Sequence, residues 1–492
     1  MRKGVCVAMA FGLSGCSLTP NYQPPQDPLP TDWRAGYTQM AVSDVALDLD
    51  WWRGFADPRL DVLVEEALLY NLDLQLAVAR LEEARALLGI ARSNQLPRLD
   101  GQVSATRQGI SDQAASAPGQ TVNQFSLAAV LDYELDLWGR LSAANDAARA
   151  RFFSTAAARD AVHLAVAADT ASLYFSVRAL SQQLEIAEAT VGSRTEALQL
   201  RAAQWRNGAI AELALRQAEA ELAAARAQVP VIAERLGRER RALAVLVGRD
   251  PAGVVKAGET AVPSREMLQN LTRARPEVPM GLPSDLLERR PDIQAAHLQL
   301  LAANSDIGVA RAARLPRISL TGLLGLQSAS LEDWLSGSAR TWQIGAGADA
   351  PIFDFGRSNQ QVAASEARRR QAEVRYQQVV RLAFQEVADA LSARHYSAQQ
   401  LAAQDAQLAA LRETVRLANA RYTAGYSSYL EVLDSERTLF DVALARVTTE
   451  QRLLAATVDL FKTLGGGWHR KEARADGAVL AEGQSPGDAA TP

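Results

Sequence analysis

Cysteine is nearly absent from this chain of 492 residues. Its two copies, Cys6 and Cys16, both lie within the first sixteen positions, so the rest of the chain cannot form an internal disulfide. Aromatics are only 6% of residues while alanine is abundant, which favours long helices with small contact residues over a bulky core. Charge of neither sign dominates, with 52 Lys and Arg against 56 Asp and Glu. No basic run and no aromatic–basic interleaving points to nucleic acid. His163, His297, His395 and His469 are scattered, stand in no metal-ligand spacing, and read as helix-surface residues. No nucleophile–base arrangement or paired acid site appears, which argues against an enzyme. Gly465-Gly466-Gly467 lacks the Lys-Ser/Thr of a phosphate loop and reads as a chain-terminating turn. Beyond the N-terminus no segment offers the run of about eighteen apolar residues that a membrane-spanning helix needs.

The N-terminus reads as an address label. Arg2 and Lys3 precede a short apolar stretch, Gly4 to Leu13, in the manner of a secretory signal. The stretch ends in Leu13-Ser14-Gly15-Cys16, which resembles the bacterial lipoprotein signal, cut before a cysteine that then carries lipid. An ordinary signal peptide with a cysteine at its end is the alternative. Ser17, rather than Asp, follows the cysteine, and within that resemblance this favours the outer membrane. One acyl chain anchors only marginally, so stable residence calls for several chains or for protein that spans the bilayer. Pro20, Pro24, Pro25, Pro28 and Pro30 then make an extended tether.

The chain is also written twice. Asn71-Leu72-Asp73-Leu74 opens a helical run that closes at Leu96-Pro97-Arg98, and Arg290-Pro291-Asp292-Ile293 opens one that closes at Leu315-Pro316-Arg317. Asp73 matches Asp292, Ala77 matches Ala296, Ala84 matches Ala303, Gly89 matches Gly308, and Ala91-Arg92 matches Ala310-Arg311. The period is too long for a solenoid and implies two pseudo-equivalent halves.

Each half continues into alternating segments of the kind that form barrel strands. The first has Leu99, Gly101, Val103 and Ala105 on one face, and the second Phe125, Leu127, Ala129, Leu131, Tyr133 and Leu135. The third has Ile318, Leu320, Gly322, Leu324 and Leu326, and the fourth Trp342, Ile344, Ala346, Ala348 and Ile352. A closed β-barrel is the remaining way through lipid when no helix can cross. Four strands cannot close one, since the smallest membrane barrels have about eight, so the chain must oligomerise if they enter lipid. Two soluble hairpins remain the alternative.

Proline is missing from Gly119 to Val229 and from Ile352 to Ser485. The stretches Gly139 to Gly208 and Gly356 to Gly425 read as helices of roughly 100 Å. Leu401, Leu408, Leu411, Val415, Ala418 and Tyr422 keep coiled-coil spacing, as do Leu433, Phe440, Leu444, Val447, Leu454, Val458 and Phe461 on a returning helix. Glycine at Arg206-Asn207-Gly208-Ala209 and Thr423-Ala424-Gly425-Tyr426 suits the left-handed residue that ends a helix. The fold expected is mainly α with a small β part, built from duplicated helical hairpins.

Several motifs now stand in order: Trp51-Trp52 with Phe55-Ala56-Asp57-Pro58, Asn71-Leu72-Asp73-Leu74, Leu96-Pro97-Arg98, and Glu134-Leu135-Asp136-Leu137-Trp138-Gly139-Arg140. Glu288-Arg289-Arg290-Pro291-Asp292-Ile293, Pro351-Ile352-Phe353-Asp354-Phe355-Gly356-Arg357 and Leu464-Gly465-Gly466-Gly467-Trp468 follow. From residue 16 to 468 the chain resembles the outer-membrane efflux protein family, the TolC-like channels, and within it the lipoprotein branch serving drug efflux pumps. The resemblance implies a homotrimer in which each protomer gives four strands to one shared twelve-stranded β-barrel, with the helices forming an α-barrel through the periplasm. It implies a periplasmic adaptor protein docked at the hairpin turns, here Asn207, Gly208, Ala209, Ala424, Gly425 and Tyr426, and an inner-membrane pump beyond it. No cofactor or metal is expected apart from the covalent lipid on Cys16. The channel gate would fall at Glu431 and Asp434, as stacked carboxylate rings that favour cations and raise one another's pKa. Solvated surface charges are the plainer alternative for both. Tyr422 stands where the family often has a gate tyrosine, but its carboxylate partner would fall at Ala214 and a gate arginine at Ser427, so the closing network must differ.

The expected organisation is a signal peptide at 1–15, a lipid-anchored tether at 16–45, a first repeat at 46–248, an equatorial linker at 249–283, a second repeat at 284–468 and a tail at 469–492. Drugs or other small toxic compounds are the expected cargo. Export of proteins or metal ions by the same fold, and a non-conducting structural envelope lipoprotein, are the competing readings.

Overall fold

Asp57 starts the first helix: its carboxylate accepts from the Arg59 N–H, and Pro58 occupies the first turn, where no donor is needed. A computed structural model describes residues 18–25, 50–113, 119–256, 276 and 286–466. Cys16, and the tail that follows Gly466, lie outside the described residues. Among the described residues a short 3-10 turn, Trp51–Phe55, precedes α1 (Pro58–Tyr70), α2 (Leu72–Ser93), β1 (Arg98–Gly109) and β2 (Thr121–Leu135). Next come α3 (Arg140–Arg206), α4 (Glu212–Leu246), α5 (Pro251–Lys256), α6 (Leu286–Arg289) and α7 (Pro291–Ala312). The chain then forms β3 (Arg317–Ser328), β4 (Arg340–Asp349), α8 (Arg357–Thr423) and α9 (Tyr429–Thr463).

The duplication is carried to the residue. α2 and α7 have 22 residues each, α3 and α8 have 67, and α4 and α9 have 35. The fold is mainly α with one small sheet. Pro230 lies inside α4 without ending it; buried Ile232 and Leu236 hold the helix beyond the lost hydrogen bond. The linker expected at 249–283 begins with α5, and residues 257–275 and 277–283 lie outside the described residues. β4 stops at Asp349, short of Ile352, because Pro351 has no N–H for the ladder.

Two compact units divide the chain. One comprises the described residues of Met1–Asp27 with Ala79–Ala157 and Ala295–Val379; the other comprises those of Pro28–Val78, Ala158–Gln294 and Val380–Pro492.

The first unit holds the sheet, antiparallel throughout in the order β1-β2-β3-β4. Its register aligns Leu99 with Leu131, Leu131 with Gly322 and Gly322 with Ile344. Side chains of directly paired residues share a face, so the apolar sets of all four strands meet on one side. That side is bare: Leu99 is 70%, Leu324 68% and Ile344 81% exposed. The opposite face carries Gln102, Ala128, Gly325 and Thr341 along one paired row, and Ser104, Ser126 and Gln327 along another. At the foot of the sheet Glu134 accepts from Arg140 Nη2 at 2.7 Å and Arg317 Nη2 at 2.8 Å, tying β2, β3 and α3 together. Trp138 Nε1 donates to the Pro316 carbonyl at 2.7 Å. Asp136 caps α3 through the Leu141 and Ser142 amides, and Asp354 caps α8 through Ser358.

The second unit has its core where Trp51, Trp52, Phe55 and Leu60 meet Ala171, Tyr174, Phe175, Val387, Leu391, Val458 and Phe461. Trp51 stacks on Phe461 with centroids 5.1 Å apart. Asn71 bridges α1 and α2, capping Leu74 N–H and donating to the Leu246 carbonyl. Arg290, 7% exposed, donates to Asp292 and Glu386 at 2.7 Å each and to the Thr463 carbonyl at the end of α9.

Candidate functional site

The turn end of the second unit is built from four helix ends. α3 closes with Ala209 N–H on the Gln204 carbonyl and Gly208 N–H on that of Trp205. α8 closes in the same way, with Tyr426 on Arg421 and Gly425 on Tyr422. This paired bond pattern needs a left-handed residue, supplied by Gly208 at φ +69° and Gly425 at φ +80°. All six turn residues singled out from sequence are exposed, and a side chain built at either glycine would meet open space.

Just inside the turns the two hairpins pack together through Leu198, Ala214, Ala218, Ala418, Tyr422, Tyr429, Val432 and Leu433. The coiled-coil positions named from sequence on α8 and α9 are buried or half-buried in every case. Ala214, standing where a carboxylate was expected, lies in the same apolar cluster as Tyr422. Glu212 pairs instead with Arg216 at 3.0 Å. The hydroxyl of Ser427 is buried without a hydrogen-bond partner.

Sequence reasoning missed the group that replaces the expected pair. Arg201, on α3 and 6% exposed, sits 4.5 Å from the ring centre of Tyr422 and 4.2 Å from that of Tyr429. The two rings lie 5.4 Å apart, so one guanidinium engages both faces of a tyrosine pair drawn from α8 and α9. Its Nη1 donates to Gln204 at 2.8 Å. About two turns back along α3, Arg194 donates to Glu221 on α4 at 2.9 Å, and Glu221 also accepts from Arg437 of α9 at 2.7 Å. Burial pushes the neighbouring Glu436 carboxyl up, against the pull of Arg194, an Asn419 hydrogen bond and Arg201.

Glu431 and Asp434 lie on the exposed face of α9. Glu431 stands 3.5 Å from Arg421. Arg437, one turn beyond Asp434 on that face, was not anticipated either. Among the described residues no group of three His, Cys, Asp or Glu could hold a metal ion, and no helix is long and apolar enough to cross a membrane.

The family described as outer membrane efflux protein matches residues 63–249 and 282–466. The chain belongs to the outer membrane efflux protein family. One matched stretch runs from within α1 to just past α4, the other from just before α6 to just past α9. A solvent efflux pump outer membrane protein of Pseudomonas putida, SrpC, is 35% identical over 462 residues, covering 93% of this chain and 96% of that relative. A cation efflux system protein of Escherichia coli, CusC, is 33% identical over 466 residues, with 94% and 98% covered. The crystal structure of the Campylobacter jejuni CmeC outer membrane channel superposes with a TM-score of 0.87 at 28% identity, covering 94% of this chain and 98% of that one. This is thus an outer-membrane efflux protein, and the bare apolar face of its sheet is the surface such a location requires.

Proposed function

We propose that three copies of this chain join their sheets, β1 of one to β4 of the next, into a single barrel that serves as the exit duct of a tripartite efflux pump. One observation carries the reading: a four-stranded sheet with two free edges whose apolar side stays largely uncovered, with Leu99, Leu324, Trp342 and Ile344 exposed. Edges and an apolar face of that size demand partners, protein for the one and lipid for the other. The exposed turns at Gly208 and Gly425 are the docking points for a periplasmic adaptor, which links the duct to an inner-membrane pump. Cys16 carries the lipid. The duct performs no bond chemistry and uses no cofactor.

At the turn end, Glu431 and Asp434 converge across the trimer as carboxylate rings that favour cations. Tyr422 belongs to the closing network through Arg201 rather than through a carboxylate. Small toxic compounds are the cargo this reading favours. A cation cargo is the second reading, supported by the similarity to the cation efflux relative.

Reconstitution into planar bilayers tests the proposal. Discrete conductance steps from purified protein are the expected result. Their absence, with trimer present, would leave the structural envelope lipoprotein as the better account.

A further inference from the structure

The segment that follows the lipidation cysteine does not hang free. In the first unit Thr19 crosses α7 at Gly308, where a Cβ would stand 2.1 Å from the Thr19 hydroxyl and 3.1 Å from its Cα. Pro20 offers its carbonyl to Asn304 Nδ2 at 2.8 Å, and Asn304 is 3% exposed. The ring of Tyr22 lies 5.6 Å from that of His297, which in turn lies 5.9 Å from Tyr376. Burial raises the Tyr22 phenol to about 12, with the charges of Tyr376 and Glu373 adding to it. Successive contacts at 308, 304 and 297 step toward the start of α7, so the segment runs antiparallel to that helix. Behind it a cavity of about 520 Å³ is lined by Arg149, Phe153, Leu298, Leu301 and Asn304.

The duplication supplies an internal control. The position matching Gly308 is Gly89, and nothing lies within 4 Å of a Cβ there. The positions matching Asn304 and His297 are Arg85 and Val78. α2 keeps the notch but lacks both the amide that latches Pro20 and the ring that receives Tyr22. One tether and two similar helices thus give a single docking choice.

We propose that Thr19–Tyr22 is a strap whose seat on α7, with Gly308 as notch and Asn304 as latch, fixes where the lipid-bearing end of the chain enters the membrane. It rests on reading Cys16 as the lipidated residue. Three residues of chain reach about 10 Å at most. Traced from Tyr22 back to Thr19, the strap points toward the α7 end at Ala312, beside the start of β3 at Arg317. The acyl chains are thereby delivered to the foot of the sheet, holding it at the bilayer surface before neighbouring sheets join. The lipid then acts as a placement device for barrel assembly, and its place is set by the protein.

The test uses the full chain expressed into outer membranes. Asn21→Cys and Ser305→Cys line the cavity beside the strap, outside notch and latch. A short bis-thiol crosslinker is expected to join them within one chain. Gly308→Leu should abolish the crosslink and lower the yield of detergent-resistant trimer several-fold, while Gly89→Leu keeps both. Each exchange raises intrinsic helix propensity, so helix weakening cannot account for a difference. Asn304→Leu, which leaves the notch open, should lower crosslink and trimer in parallel. An unchanged crosslink in Gly308→Leu overturns the seat. A lost crosslink with full trimer yield overturns its role in assembly. Labelled palmitate separates the underlying reading: an unlabelled wild-type chain refutes Cys16 as the anchor even where the crosslink forms.

Discussion

Arg201 lies 4.5 Å from the ring centre of Tyr422 while only 6% exposed, a desolvated cation held against the hairpin that carries the proposed gate. Cation–π contacts of this kind are worth about 2 kcal/mol when desolvated. Arg201→Ala removes the clasp on both Tyr422 and Tyr429. We expect longer-lived open conductance and increased entry of large hydrophilic antibiotics, with Arg201→Lys intermediate because it keeps the charge without the planar fork. Closed-state conductance equal to wild type in Arg201→Ala would remove this residue from the gate.

Glu431 and Asp434 should set ion preference if they line the narrow end. The double exchange Glu431→Ala, Asp434→Ala is expected to shift the reversal potential in a salt gradient toward anions. Arg421, at 3.5 Å from Glu431, partly offsets that charge, so Arg421→Ala should shift it the opposite way. A reversal potential unchanged in both variants would return the two acids to the solvated surface.

Arg290 anchors the end of α9 to the start of α7 through two carboxylates and a carbonyl. Breaking a buried pair by removing one partner typically costs about 3–5 kcal/mol. Arg290→Ala should therefore lower the thermal midpoint more than Glu386→Gln, which leaves Asp292 in place. Circular dichroism of the purified protein measures this, and equal midpoints would contradict it.

The raised Glu436 carboxyl makes a pH prediction. A raised native value means the folded state binds its proton more tightly than the unfolded chain. Stability from this group is therefore present at low pH and lost as pH rises from the ordinary carboxylate value through the native one. Arg194, Arg201 and Asn419 face it favourably and Glu221 does not. Glu436→Gln should flatten the pH dependence of the midpoint and raise it near neutrality. A steeper dependence in the variant would contradict the assignment.

Much of this molecule was legible in one dimension because its logic is periodic. Alternation put Leu131, Gly322 and Ile344 each on the apolar face of its own strand, and the register brought those faces to one side of the sheet. The helix lengths followed from Gly139 to Gly208 and Gly356 to Gly425, since a left-handed glycine marks where a helix must close. The clasp was illegible for the opposite reason. Arg201 lies far from Tyr422 in sequence, and no local pattern reveals that α3 will present a guanidinium to α8. The same holds for Glu221, which meets Arg437 only after two hairpins pack. The strap escaped because a proline-rich tether reads as free chain, whereas the notch that seats it is a glycine in a distant helix. β4 was read too long because alternation continues through Ile352 although Pro351 cannot join the ladder.

The account depends on three chains sharing one barrel, and the mass of the detergent-solubilised particle tests that most directly. Light scattering corrected for bound detergent should give three times the protomer mass, and substitution of proline into edge strand β4, as at Ile344, should collapse it. A monodisperse particle of one protomer mass, still conducting in bilayers, would contradict the account.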